Sequence, residues 1–237
     1  MTLQDRVVVI PGATGGLGRV VSAYFSAQGA LLALIGRDAA KLVQIAADLN
    51  VPPERILTHT ADLVIASEAD KAAETVINRF GRAEVVINLI GGWTGGISVE
   101  AGIVQDLTSM LQQHLWSTLY LAQAFIPHLR ANRWGRFIIV SSPYALHPKS
   151  GGAAYAIAKS AQETLILALA QELKGSGVTA NIIQVQTIDV EHERDNKPAS
   201  RNASWTTPEE IAAAILYLCS DEAQMINGAR IPLYGIS

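Results

Sequence analysis

The sequence predicts an α/β fold, a single doubly wound parallel sheet flanked by helices that takes in residues 1–237 without an internal boundary. Three observations lead there. Short runs rich in Val and Ile alternate with longer stretches of helical periodicity along the whole chain, the pattern of repeated strand–helix–strand units. The runs are apolar at successive positions, as in Val7-Val8-Val9-Ile10, which suits strands covered by helices on both faces. The first run passes through a glycine-rich turn, Pro11–Gly18, directly into an apolar helical pattern.

With 237 residues, 49% hydrophobic and 16% charged, the chain can bury a large core and does not have the composition of a disordered segment. A net charge of −3 gives no reason to expect nucleic acid or an anionic membrane as partner. The single cysteine, Cys219, excludes an intrachain disulfide and sits in an apolar helical stretch as a small core residue. The N-terminal residues lack the layout of a signal peptide, and the run Ile211–Cys219 is too short to span a bilayer. A cytoplasmic protein without a metal site is expected.

Taken in order, Val7–Ile10 forms the first strand. Gly12, Gly16 and Gly18 then allow a tight turn and close backbone approach, and the following helix N-terminus attracts a pyrophosphate. Leu31–Ile35 is the second strand and ends at Gly36-Arg37-Asp38. An acidic residue at this tip would hold ribose hydroxyls; Arg37 instead suits a 2′-phosphate, or else is a solvated arginine with Asp38 capping the next helix. Ile56–Thr60 is the third strand, and Asp62 beyond it either accepts from an adenine amino group or caps a helix near Ser67–Phe80. Glu84–Leu89 is the fourth, followed by Gly91-Gly92-Trp93-Thr94-Gly95-Gly96, a loop at the ligand crevice of an open sheet. A long helix over about 107–131 precedes a strand at Phe137–Ser141, a helix from Tyr155 to about Lys174 and a strand at Val178–Val185. The polar stretch 189–205 reads as a surface loop or lid over substrate. Thr207 and Pro208 are the N-cap and first residue of the last long helix, and Arg230–Tyr234 is a final strand.

Chemistry concentrates between Ser142 and Lys159. Tyr155 and Lys159 are four residues apart and share one helix face. An ammonium beside a phenol favours the phenolate, so the Tyr155 pKa is expected to fall from about 10 towards neutrality, making it a general acid or base. Ser142, thirteen residues upstream at a strand end, can polarise a substrate oxygen. Trp93, Tyr144 and His147 are the candidate substrate walls.

Together these residues resemble the short-chain dehydrogenase/reductase family over essentially the whole chain. The likeness rests on Gly12-x-x-x-Gly16-x-Gly18, Asp62-Leu63, Asn88, Ser142, Tyr155, Lys159 and the helix start Pro208-Glu209-Glu210-Ile211. It implies a Rossmann-type sheet and hydride transfer between a nicotinamide and a carbonyl or alcohol of a small molecule, with Lys159 binding the ribose hydroxyls. The cofactor contacts it implies are Gly12, Thr14, Gly15, Gly16, Leu17, Gly18, Arg37, Asp62, Leu63, Asn88, Gly91, Tyr155, Lys159 and Ile188. Arg37 favours NADP(H), with NAD(H) possible. The resemblance also implies a homodimer or homotetramer through the helices near 107–131 and 153–174, the second of them alanine-rich.

Departures from the family pattern are Pro11 in place of threonine, Asn88-Leu89-Ile90-Gly91, Val185-Gln186 in place of a Pro-Gly pair, and His114 where the family carries a catalytic asparagine. An imidazole titrates near pH 6.5, so His114 would add a protonation step to a proton relay, its pKa lowered by Lys159. A narrower likeness, Gly91–Gly96 with Gln113–Ser117, is to quinoid dihydropteridine reductase, which makes pterin reduction an alternative. A dinucleotide-binding sensor without catalysis is another.

Overall fold

Alternate residues of the first strand face opposite ways, and each set finds its own layer of helices. In the computed structural model, which describes residues 3–235, β1 is Val7–Pro11. Val7 and Val9 pack with α3 (Ala66–Phe80), α5 (Ser117–Ala131) and α6 (Ala153–Glu172). Val8 and Ile10 pack with α1 (Gly16–Ala27), α2 (Ala39–Leu49) and α8 (Pro208–Leu218). Two apolar cores therefore sandwich one sheet, which is why its inner strands read as continuous apolar runs.

The other strands are β2 (Leu31–Gly36), β3 (Ile56–Thr60), β4 (Val85–Asn88), β5 (Gly135–Ser141), β6 (Val178–Gln184) and β7 (Arg230–Pro232). All pair in parallel in the order β3-β2-β1-β4-β5-β6-β7. This is a Rossmann-type sheet. The order reverses between β1 and β4, so successive crossovers leave in opposite directions and open a crevice at the carboxyl ends of these two strands.

Several boundaries differ from expectation. The long helix begins earlier, as α4 (Val104–Leu111), and joins α5 through a π-helical turn, Gln112–Trp116. The final strand stops at Pro232, short of Tyr234. The stretch 189–205 is partly ordered, with α7 (Glu193–Asn196) and a 3₁₀ turn at Ser200–Asn202. It is tied down at both ends. Asp189 accepts from the amides of Glu193 and Arg194, Thr206 bridges to Ile188, and Arg194 pairs with both carboxylate oxygens of Glu210. Thr207 and Glu210 form a reciprocal capping box with Pro208 at the first helical position. Asp38 caps α2 by accepting from the Lys41 amide. Asp62 caps no helix: Glu68 reaches back to its amide, while its own carboxylate accepts from Val64 N.

At the amino ends of the strands lies a dense charged cluster. Glu84, before β4, accepts from Arg6 Nη1 at 2.5 Å, Arg82 Nε at 3.0 Å and Val7 N at 2.9 Å. The Trp134 ring packs against two guanidinium groups, with Arg6 and Arg136 at 3.9 and 4.3 Å from its centroid. Arg136 is buried and donates to the carbonyls of Gly135 and Ser220. Cys219 is fully buried, and burial pushes its thiol up to about 12. Among the described residues no helix is long and apolar enough to cross a membrane.

Candidate active site

The crevice at the switch point holds a cavity of about 680 Å³. One side is the glycine loop between β1 and α1, and here the glycines are required. Gly12 has φ +84°, and a Cβ there would lie 2.8 Å from the Leu89 carbonyl carbon. A Cβ on Gly18 would lie 2.4 Å from Gly12 O. Gly15 meets nothing closer than 3.5 Å, and no side chain caps the α1 N-terminus. The free first-turn amides face an open groove, the physical requirement for a bound phosphate. A second cavity of about 250 Å³ shares Gly12, Gly15, Leu89, Ile90 and Gly91 with the first and runs on to Thr14, Arg37, Asp62 and Leu63. Loop and groove fit an elongated dinucleotide. Arg37 is exposed at the far end, and Asp38 is engaged in its cap.

At the other end, Ser142 follows β5 directly, and Tyr155 lies in the first turn of α6, with Lys159 one turn on. All three line the cavity. Tyr155 contacts two other rings edge-to-face, His114 at 5.5 Å and Tyr144 at 5.8 Å between centroids. Lys159 is buried. Its ammonium donates to Val140 O at 2.8 Å and Gln162 Oε1 at 3.0 Å, and lies 5.9 Å from the Tyr155 ring centroid. Gln162 in turn donates to Thr118 Oγ1, which also accepts from Asn88 and donates to His114 O. One turn beyond Lys159, the buried carboxylate of Glu163 accepts from Gln184 and Arg230.

Electrostatics correct one expectation. The Tyr155 pKa is raised, not lowered: burial penalises the phenolate, and hydrogen bonding by Ser142 only partly opposes it. The ammonium is itself desolvated, and burial brings Lys159 down to about 7, with Glu163 acting the other way. His114 is corrected as well. Burial, then Lys159, bring its pKa down to about 2, so the ring is neutral throughout the working range rather than a titrating relay. Its Nε2 donates to Gly92 O at 3.0 Å, leaving Nδ1 as a buried acceptor with no partner among the described residues. Ser141 Oγ, also on the cavity wall, is likewise unpartnered.

The remaining expected residues divide. Gly12, Gly15, Gly16, Leu17, Gly18, Gly91, Trp93, Tyr144 and Ile188 line the larger cavity, and Thr14, Arg37, Asp62 and Leu63 the smaller. Asn88 lies beneath the site, its side chain holding Ile90 N and Thr118. His147 is exposed and lines neither cavity. Sequence reasoning missed Lys149 and Thr187, which line the larger cavity, while Val190 on its wall belongs to the expected 189–205 lid. It also missed why residues 91 and 92 are glycines. A Cβ on Gly91 would lie 2.8 Å from the His114 ring, and one on Gly92 2.7 Å from Gln113 Oε1.

A family model described as short chain dehydrogenase matches residues 6–201. The chain belongs to the short-chain dehydrogenase/reductase family and is an oxidoreductase. A meso-2,3-butanediol dehydrogenase of Serratia marcescens is 28% identical over 245 residues, covering 99% of this chain and 95% of that one. The crystal structure of a short chain dehydrogenase from Bacillus anthracis superposes with a TM-score of 0.87 at 29% identity, covering 97% of this chain and 95% of that one. L-Sorbose reductase from Gluconobacter frateurii, solved with NADPH and L-sorbose, shares the fold at TM-score 0.86 and 24% identity over 99% of this chain and 97% of that one.

Proposed function

We propose that this enzyme reduces a small-molecule carbonyl, or oxidises the matching alcohol, with NADP(H) in preference to NAD(H). The observation that carries the reading is the convergence of Ser142, Tyr155 and Lys159 in a cavity continuous with the glycine loop. When bound, the nicotinamide supplies or accepts the hydride. The chain does the rest. Gly15–Gly18 and the α1 N-terminus hold the pyrophosphate, Asp62 and Leu63 flank the adenine, and Arg37 meets a 2′-phosphate. Lys159 spends two of its three donors on Val140 and Gln162, leaving one for a ribose hydroxyl. Ser142 orients the substrate oxygen. Tyr155, kept protonated by burial, gives that oxygen its proton, a state suited to reduction at neutral pH. Val185 and Gln186 wall the nicotinamide side, and Val190 of the 189–205 lid covers Gly16, where a Cβ would lie 3.0 Å from the valine methyls.

The test is NADPH oxidation with a panel of diketones, quinones and quinoid dihydropterins. Turnover of simple carbonyls is expected. Trp93 and Tyr144 at the mouth also suit a flat heterocycle, so a preference for the pterin would favour the second reading, pterin reduction. Cofactor binding with no turnover on any member would make the protein a sensor. We also infer a cytoplasmic homodimer or homotetramer assembled through α4–α5 and α6, which expose Trp116 and Ile157. Light scattering at micromolar concentration should give a multiple of 25.3 kDa.

A further inference from the structure

We propose that the substrate carries a carboxylate several bonds from its reacting carbonyl, and that Lys149 is the residue that selects it. This rests on the carbonyl-reduction reading of the cavity. The larger cavity is lined by two ammonium groups, Lys149 and Lys159, and by no carboxylate. Lys159 is buried, donates to Val140 and Gln162, and has one donor left for the cofactor ribose. Lys149 has no carboxylate partner among the described residues. It stands at the mouth, its Nζ 5.6 Å from the Tyr144 ring, which in turn meets the Tyr155 ring at 5.8 Å. The Tyr144 ring contacts both Lys149 and Tyr155, which favours an acid longer than a 2-oxo acid.

The turn carrying Lys149 is built to stay in place. Its carbonyl accepts from Gly152 N at 3.0 Å, and Gly151 O accepts from Gly96 N at 2.8 Å, fastening this turn to the Trp93 loop. Gly151 has φ +72°, and a Cβ on Gly152 would lie 2.7 Å from Tyr144 Cε1. A lone ammonium matches a monoanion; a phosphate dianion would call for further donors. A carboxylate at such a solvated cation gains about two- to fivefold over a neutral group of the same shape.

The experiment compares 4-oxo-4-phenylbutanoate with its methyl ester, by calorimetry on the NADP⁺-loaded enzyme, where no hydride is available and binding is read without turnover. The acid should bind about two- to fivefold tighter than the ester. Lys149→Met should abolish that preference, and Lys149→Arg should keep it, with NADP⁺ affinity unchanged in both. Equal binding of acid and ester, no binding of the acid, or a preference that survives Lys149→Met would overturn the proposal. The same preparations are assayed with NADPH and neutral ketones. Turnover there without an acid preference removes only the Lys149 subsite, whereas an acid preference without any turnover leaves the subsite and removes the reductase reading.

Discussion

The two ends of the sheet both bury charge, and they treat it in opposite ways. At the amino ends, Glu84 is held by three donors from Arg6, Arg82 and Val7, and the Arg136 guanidinium donates to nearby carbonyls beside the Trp134 face. At the carboxyl ends, burial raises the Tyr155 pKa, takes Lys159 to about 7 and His114 to about 2, and leaves His114 Nδ1 and Ser141 Oγ without partners. At the first end the Glu84 pairs hold the fold together, although the buried Arg136 has only carbonyl acceptors and its Nε has no partner among the described residues. Desolvated, partly unsatisfied groups at the second weaken the fold locally, and of them Lys159 is left close to neutrality where it can exchange a proton.

The sharpest way to separate the two ends is to remove one group from each. Tyr155→Phe should lose nearly all turnover while dinucleotide affinity stays within a few-fold, since the hydroxyl serves proton transfer. Near-normal kcat would return the carboxyl end to a structural role. Glu84→Ala should do the reverse. It removes the shared acceptor of Arg6, Arg82 and the Val7 amide, both guanidinium groups being partly exposed, so urea unfolding should show a loss of about 1–3 kcal/mol with kcat per folded molecule unchanged.

Lys159 sharpens the comparison through pH. Its folded pKa of about 7 lies below the ordinary 10.5, so between these values the unfolded chain holds a proton that the folded chain has released. Unfolding free energy should therefore rise with pH across this window, by about 1 kcal/mol per unit, and the penalty should be fully present below pH 7. Lys159→Met should flatten that rise in urea titrations run from pH 6 to 9. An unchanged slope would mean the lysine is better solvated than its burial indicates.

Smaller effects follow within the carboxyl end. Arg37→Ala should weaken NADPH by about ten- to a hundredfold and NADH hardly at all, from the loss of a charge-assisted contact of about 1.5–3 kcal/mol. Equal losses for both cofactors would detach Arg37 from the 2′-phosphate. His114→Asn should leave the acidic limb of the kcat profile where it is, because the native ring stays neutral. A limb that moved by a full pH unit would show that the imidazole takes up a proton.

The strands and the glycine loop were legible because local patterns cause them: Val7–Ile10 must be buried on both faces, and Gly12 and Gly18 admit no side chain. The Thr207 cap was legible for the same reason, being settled within four residues. The states of Tyr155 and His114 were not. Spacing puts an ammonium near the phenol, but desolvation dominates, and burial is a property of the whole fold. Of the two readings of Asp62 only the helix cap fails, because Glu68, six residues on, reaches back from the helix start to its amide. Lys149 was passed over since nothing local distinguishes it; only the assembled cavity reveals that its wall has no acid.

The π turn at Gln112–Trp116 fits one more residue into a helix than α geometry allows. The wider turn absorbs that extra residue, so loss of a single codon within 112–116 would restore an unbroken α-helix and tighten only this turn, with α4 and α5 keeping nearly the same faces. Gln113 and His114 would swing away from the two glycines shaped to receive them, while the apolar face of α5 stayed in register with the sheet. The site could thus be dismantled by one in-frame deletion that leaves the core intact, and a lineage bearing that deletion would have to rebuild the Gly91–Gly96 loop before it regained the same cavity.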